Sequence, residues 1–120
     1  MRIVVADDST VMRRIVIRTL RQAGYDCSDV IEAANGQEAY EAALNEDPDL
    51  VLSDWNMPEM TGIESLRAIR AAGSDVTFGF VTSEGSEEMR AEAAAAGAAF
   101  LIAKPFTADT FRDVLEQFVA

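Results

Sequence analysis

Lys104 is the only lysine in a chain of 120 residues; arginine supplies the other nine basic groups. It follows the apolar run Ala98 to Ala103 and precedes Pro105-Phe106, so its ammonium is expected at the end of a buried strand. Three other apolar runs end in polar groups: Ile3-Val4-Val5-Ala6 in Asp7-Asp8, Leu50-Val51-Leu52-Ser53 in Asp54, and Phe78-Gly79-Phe80-Val81 in Thr82. Carboxylates, a hydroxyl and an ammonium converging at strand ends could hold a divalent cation and a phosphoryl group. Crowded carboxylates repel one another, and must take up a proton or recruit a cation. Mg²⁺ suits such a place because it prefers hard oxygen ligands and is commonly bound by one or two carboxylates plus a phosphate. Asp7 or Asp8, Asp54 and the backbone carbonyl of Asn56 form a donor set of that kind. Taken singly, each residue has an ordinary reading. Asp7-Asp8 would cap the next helix, Asp54 would be a turn residue before Met57-Pro58, and Lys104 would be a solvated charge. Their joint placement favours a shared site.

The elements that must position these groups are legible from apolar periodicity. Short β-branched or aliphatic runs alternate with longer segments of helical period, the pattern of strands and helices around a parallel sheet. Strands are expected near residues 2–6, 27–32, 49–53, 76–81 and 98–103. In the first helix Met12, Ile15, Val16, Thr19, Leu20 and Ala23 repeat at helical spacing, with Gly24 where a C-terminal cap would stand. The second helix runs from about Gly36 to Asn45 and stops before Pro48. The third spans Gly62 to Ala72, the fourth Ser86 to Ala96 with Gly97 after it, and the last Thr107 to Val119 with Thr107 as N-cap. This is an open, doubly wound α/β fold, which binds ligands outside the carboxyl ends of its strands. Asp7, Asp8, Asp54, Thr82 and Lys104 all fall at those ends.

The composition narrows the function. At this length the chain reads as one domain spanning residues 1–120, and 49% hydrophobic content suffices for a core. A formal charge of −11 disfavours nucleic acid and anionic membrane as partners, because their affinity rests on neutralised phosphates. The single cysteine, Cys27, has no internal disulfide partner and is expected to fill the core as a small hydrophobe. With no signal-peptide pattern at the start, it points to the cytoplasm. The longest apolar run, Ala93 to Ala103, is interrupted by Gly97 and too short to cross a bilayer. There is no histidine, which excludes Ser-His-Asp and Cys-His catalysis.

From Asp7-Asp8 through Ser53-Asp54-Trp55-Asn56-Met57-Pro58 and Val81-Thr82-Ser83-Glu84 to Lys104-Pro105-Phe106, the sequence resembles a response-regulator receiver domain, most closely the stand-alone chemotaxis regulators of the CheY type. The resemblance implies a flavodoxin-like sheet of five parallel strands in the order 2-1-3-4-5 with five helices. It implies that Asp54 is the nucleophile, taking a phosphoryl group from a histidine kinase or a histidine phosphotransfer domain to form an acyl phosphate. Asp7 and Asp8 would then hold Mg²⁺ with Asp54 and Asn56, Lys104 would pair with a phosphoryl oxygen, and Thr82 would swing toward it. Before phosphorylation Lys104 would pair with Asp54, and the bond from Lys104 to Pro105 would be cis. Asn56 and Glu84 match positions that gate the water for loss of the phosphoryl group. The implied protein is a monomeric phosphoacceptor rather than a turnover enzyme, relaying its state through the fourth helix, fifth strand and fifth helix to a flagellar switch protein or a phosphatase.

One position departs from the family pattern: Leu101 stands where an aromatic residue usually precedes the lysine by three places. Phe100 is adjacent, but neighbouring side chains of a strand point to opposite faces. Either the switch uses Leu101, or the register shifts, or the output differs. A phosphate sink or relay without motor output is one alternative. An aspartate-nucleophile phosphohydrolase is another, although such enzymes carry an acid where Asn56 stands here. A flavodoxin-like cofactor binder is disfavoured, since Asp7 and Asp8 would repel its phosphate. Arg14, Arg18 and Arg21, with Arg13 beside them, form a basic stripe on the first helix that suits an acidic docking partner or is simply solvated. Trp55 is expected beside the site and partly exposed.

Overall fold

The computed structural model describes residues 1–119. Five strands, β1 (Ile3–Ala6), β2 (Val30–Ala33), β3 (Leu50–Ser53), β4 (Thr77–Thr82) and β5 (Phe100–Ala103), alternate with five helices, α1 (Thr10–Gln22), α2 (Gly36–Asn45), α3 (Gly62–Ala71), α4 (Glu87–Ala96) and α5 (Ala108–Leu115). The strands form one parallel sheet in the order β2-β1-β3-β4-β5, with Ile3 opposite both Val30 and Leu50, and Thr82 opposite Ala103.

Strand alternation divides the core in two, because successive side chains leave a sheet on opposite faces. Val4, Val51, Phe78 and Phe80 pack with Ala39 and Ala43 of α2, Leu66 and Ile69 of α3 and Ala93 of α4. Ile3, Val5, Leu50, Leu52, Val81 and Ile102 pack with Val16, Ile17 and Leu20 of α1 and Phe111 and Leu115 of α5. Burying a side chain of this size contributes roughly 1.5–3 kcal/mol. Gly79 is part of the fit: the Phe100 ring occupies the space its Cβ would need. Phe100 then reaches Phe118, the two ring centroids lying 5.5 Å apart.

Two expected boundaries move for local reasons. The expected second strand, 27–32, is displaced to Val30–Ala33 because the Asp26 carboxylate accepts the Ser28 N–H at 2.9 Å and bends the chain there. Cys27 is accordingly half-buried at the margin of the core rather than within it, and burial pushes its thiol up. The last helix ends at Leu115 instead of Val119, since Gln117 and Phe118 donate to Val114 and Leu115 in tighter i→i+3 turns. Its N-cap is Thr107, whose side chain accepts the Thr110 N–H.

Helix α4 is the most lightly seated, with Ala93 its only buried residue. Its C-terminal end is closed by Gly97 at φ 103°, a conformation that favours glycine. Arg70 of α3 donates to the Gly97 carbonyl at 2.7 Å and to the Ser74 carbonyl at 3.1 Å. One guanidinium thus joins the lower ends of α3 and α4.

Candidate functional site

The carboxyl ends of β1, β3, β4 and β5 bring Asp7, Asp8, Asp54, Thr82 and Lys104 to one edge of the sheet. One carboxylate oxygen from each of Asp7, Asp8 and Asp54 lies within 4.8 Å of the others. Asp7 is buried, Asp54 half-buried and Asp8 exposed, so the cluster opens to solvent on one side. Lys104 Nζ lies 3.4 Å from Asp7 Oδ2 and 3.9 Å from Asp54 Oδ2. The expected pairing of Lys104 with Asp54 is present, and the ammonium also reaches Asp7, the nearer and more deeply buried of the two carboxylates. The Lys104-Pro105 bond is cis.

The acidic loop is held from three sides. Asp7 accepts the Ser9 N–H at 2.9 Å, while Ser9 itself caps α1 by accepting the Met12 N–H. The ordinary capping role is thus taken by Ser9, which leaves Asp7 and Asp8 free for the cluster. Arg13 donates to the Asp7 carbonyl at 2.6 Å and pairs with Glu32 at 2.9 Å, tying α1, β1 and β2 together. Arg13 is consequently a bracing residue of the site, whereas Arg14, Arg18 and Arg21 stand exposed with no ion pair among the described residues. Sequence spacing grouped all four; the signal that separates Arg13 is its turn of α1 toward β2.

Asp54 is fixed through its backbone. Its N–H donates to the Ala6 carbonyl at 2.9 Å, and its carbonyl accepts the Ser53 hydroxyl at 2.8 Å. Asp54 Oδ1 accepts the Trp55 N–H at 2.8 Å. Gly62, at the start of α3, approaches so closely that a Cβ there would collide with the Asp54 carbonyl. Sequence spacing marks this glycine only as a helix boundary. Trp55 is half-buried beside the site, its ring centroid 4.7 Å from that of Phe80.

Burial is the main influence on the Asp54 carboxyl and pushes it up; Lys104 and the Trp55 N–H oppose this, while Asp7 and Asp8 add to it. Three carboxylates face a single ammonium, and the all-oxygen donor set with its surplus negative charge fits a hard divalent cation.

Thr82 is fully buried, and its Oγ accepts the Glu84 N–H at 3.3 Å. The side chains of Asn56 and Glu84 lie exposed in the loops after β3 and β4, where the structure gives them no hydrogen bond to the acidic cluster. Leu101 is half-buried on the α3-α4 face, whereas Phe100 packs on the α1-α5 face, as strand alternation requires. Two grooves open around β5 and the residues after it. One, of about 350 Å³, is lined by Met12, Ile15, Lys104, Pro105 and Phe106. The other, of about 220 Å³, lies between α4 and β5 and includes Arg90, Ala93 and Leu101.

A profile of the response regulator receiver domain matches residues 3–116. A chemotaxis protein CheY homolog of Campylobacter jejuni is 41% identical over 120 residues, covering 98% of this chain and 91% of that protein. Chemotaxis protein CheY1 of Helicobacter pylori is 39% identical over 119 residues, covering 97% of this chain and 94% of its own length. Among solved structures, chemotaxis protein CheY4 of Vibrio cholerae superposes with a TM-score of 0.85 at 35% identity, covering 98% of each chain. The receiver domain of the putative response regulator NarL from Mycobacterium tuberculosis gives a TM-score of 0.84 at 26% identity, covering 97% of this chain and 93% of that one. With strand order, strand-end acids and near-complete sequence coverage in agreement, the chain belongs to the response regulator receiver domain family.

Proposed function

We propose that this receiver domain is a Mg²⁺-dependent phosphoacceptor of a two-component chemotaxis pathway, with Asp54 as the residue phosphorylated. The observation that carries the reading is the cluster of Asp7, Asp8 and Asp54 carboxylates beside the half-buried Lys104 ammonium. Asp7, Asp8 and Asp54, with the Asn56 carbonyl, are the groups that would hold the ion. Once bound, it supplies charge neutralisation between the attacking carboxylate and the phosphoryl oxygens.

In the proposed transfer an Asp54 carboxylate oxygen attacks phosphorus of a phosphohistidine. The new P–O bond forms as the P–N bond breaks, and the electron pair leaves with the imidazole nitrogen. Lys104 exchanges its contacts with Asp7 and Asp54 for a phosphoryl oxygen, and Thr82 donates its hydroxyl to another. Water attack on the acyl phosphate, tuned by Asn56 and Glu84, releases inorganic phosphate and restores the carboxylate. The chain therefore cycles with its kinase rather than turning over a free substrate.

A histidine kinase or phosphotransfer domain is the proposed donor. Docking over α1 is supported by exposed Arg14, Arg18 and Arg21, by Val11 at 69% exposure, and by the groove from Met12 to Phe106 that leads to Lys104. The output would run through α4, β5 and α5, with a flagellar switch protein or phosphatase downstream, and the protein would act as a cytoplasmic monomer. The relatives' chemotaxis names and the free Cys27 support this setting.

The test is to incubate the protein with phosphoramidate or acetyl phosphate, with and without Mg²⁺, and follow intact mass. Wild type gains one phosphoryl group only with the ion, and Asp54→Asn gains none. Equal gain by both proteins, or gain by neither, overturns the reading.

A further inference from the structure

Arg90 is a charged side chain that neither the acidic cluster nor the proposed transfer uses. It lies in the first turn of α4, and its guanidinium reaches back to two backbone carbonyls: Nε donates to Gly85 at 3.3 Å and Nη1 to Leu101 at 3.1 Å. Gly85 belongs to the loop after β4, while Leu101 belongs to β5. One planar cation therefore spans the gap between the loop and the strand, a geometry that the fixed fork of arginine suits and a lysine ammonium does not. The loop is also confined on its other side. A Cβ on Gly85 would stand 3.3 Å from the Ala103 Cβ and 3.4 Å from Arg90 Nη2.

This loop carries the N–H that occupies Thr82. The Glu84 N–H donates to Thr82 Oγ, and Glu84 lies directly between Thr82's neighbour Ser83 and the tethered Gly85. If rotation about χ1 carries the Thr82 oxygen toward a phosphoryl group on Asp54, that bond is lost and the loop must yield. Its movement pulls on Gly85, and through the guanidinium on Leu101.

Resting on the phosphoacceptor reading above, we propose that Arg90 is a positioning residue: it latches the loop after β4 to β5 and so keeps the Thr82 hydroxyl engaged with the Glu84 N–H until phosphoryl transfer. The same two bonds make Leu101, an aliphatic residue, responsive to Thr82 through its backbone carbonyl rather than through its side chain.

The experiment uses the full chain as wild type, Arg90→Met, Arg90→Lys and Arg67→Met. Methionine keeps an apolar stem without the fork. Arg67→Met removes an equal charge that pairs from α3 with Glu92 of α4 but does not touch the loop. Amide exchange at Glu84 and Gly85 is measured in the unphosphorylated protein, alongside the rate of mass gain with phosphoramidate and Mg²⁺. In Arg90→Met, Glu84 exchange quickens by about tenfold, the scale of one lost hydrogen bond to a charged donor. Its phosphorylation rate rises several-fold while the thermal midpoint falls by only about 5 °C, the global counterpart of that one lost bond. Arg90→Lys falls between, and Arg67→Met matches wild type. Unchanged exchange in Arg90→Met, slower phosphorylation, or an equal acceleration in Arg67→Met overturns the latch. Should wild type fail to take up phosphoryl at all, the acceptor reading falls, whereas the exchange data alone still decide whether Arg90 holds the loop.

Discussion

The acidic end of β1 and the hydroxyl end of β4 lie on the same edge of one sheet, yet they are held by different means. Around Asp7, which is 5% exposed, the Ser9 N–H, the Arg13 guanidinium and the Lys104 ammonium all converge, and α1 behind it buries Val16, Ile17 and Leu20. Beyond Thr82 the chain runs exposed from Ser83 to Glu88, into a helix that buries only Ala93. A centre that receives a phosphoryl group needs fixed geometry, because small misplacements of reacting groups are costly in rate. A surface that reports the event needs the opposite, a segment displaced at low free energy. In the proposed cycle the two requirements would be met by unequal anchoring of strand ends two places apart in the sheet.

That contrast can be broken most forcefully from the core. Phe80→Ala, in β4 against Trp55 and Gly62, should cost about 3–5 kcal/mol in denaturant unfolding; a loss comparable to a surface substitution would show that the site does not rest on a rigid floor. Next in size, Asp7→Asn should weaken Mg²⁺ binding at least about tenfold, since even outer partners of metal ligands carry that much. Trp55 fluorescence titration reads this directly, and unchanged affinity would remove Asp7 from the donor set. On the lightly seated side, Ala93→Gly should cost only about 2 kcal/mol, roughly half from helix propensity and half from the buried methyl it removes. A cost as large as that of Phe80→Ala would mean that α4 is anchored after all.

The smallest effect concerns pH. Burial raises the Asp54 carboxyl, so the folded protein binds that proton more tightly than the unfolded chain does. Ionised Asp54 thus lowers stability at neutral pH, and the cost is relieved as pH falls through the raised value toward the ordinary carboxylate range. In chelator-treated protein, Asp54→Asn should raise the thermal midpoint at neutral pH, with the gain shrinking on acidification. A gain independent of pH would assign it to packing instead of charge.

The sheet, its alternation with helices and the strand-end acids were legible because apolar runs and their polar termini are contiguous in sequence. The order of strands came from family resemblance, since periodicity does not say which strands pair. Boundaries drifted where side chains bond to nearby backbone: Asp26 delays β2, and the tightened turns after Leu115 shorten α5. The pairing of Lys104 with Asp54 came with the family resemblance, whereas its nearer contact with Asp7, the brace of Arg13 and the reach of Arg90 were not legible at all. Each depends on where a long side chain travels across elements distant in sequence.

The guanidinium of Arg70, clasping the carbonyl of Gly97, has a mechanical corollary. It ties the far end of α4 to α3, so the two ends of this helix are held by different guanidinium groups, Arg70 at Gly97 and Arg90 at Gly85. A displacement of the Gly85 loop would therefore act on a helix whose opposite end is already moored.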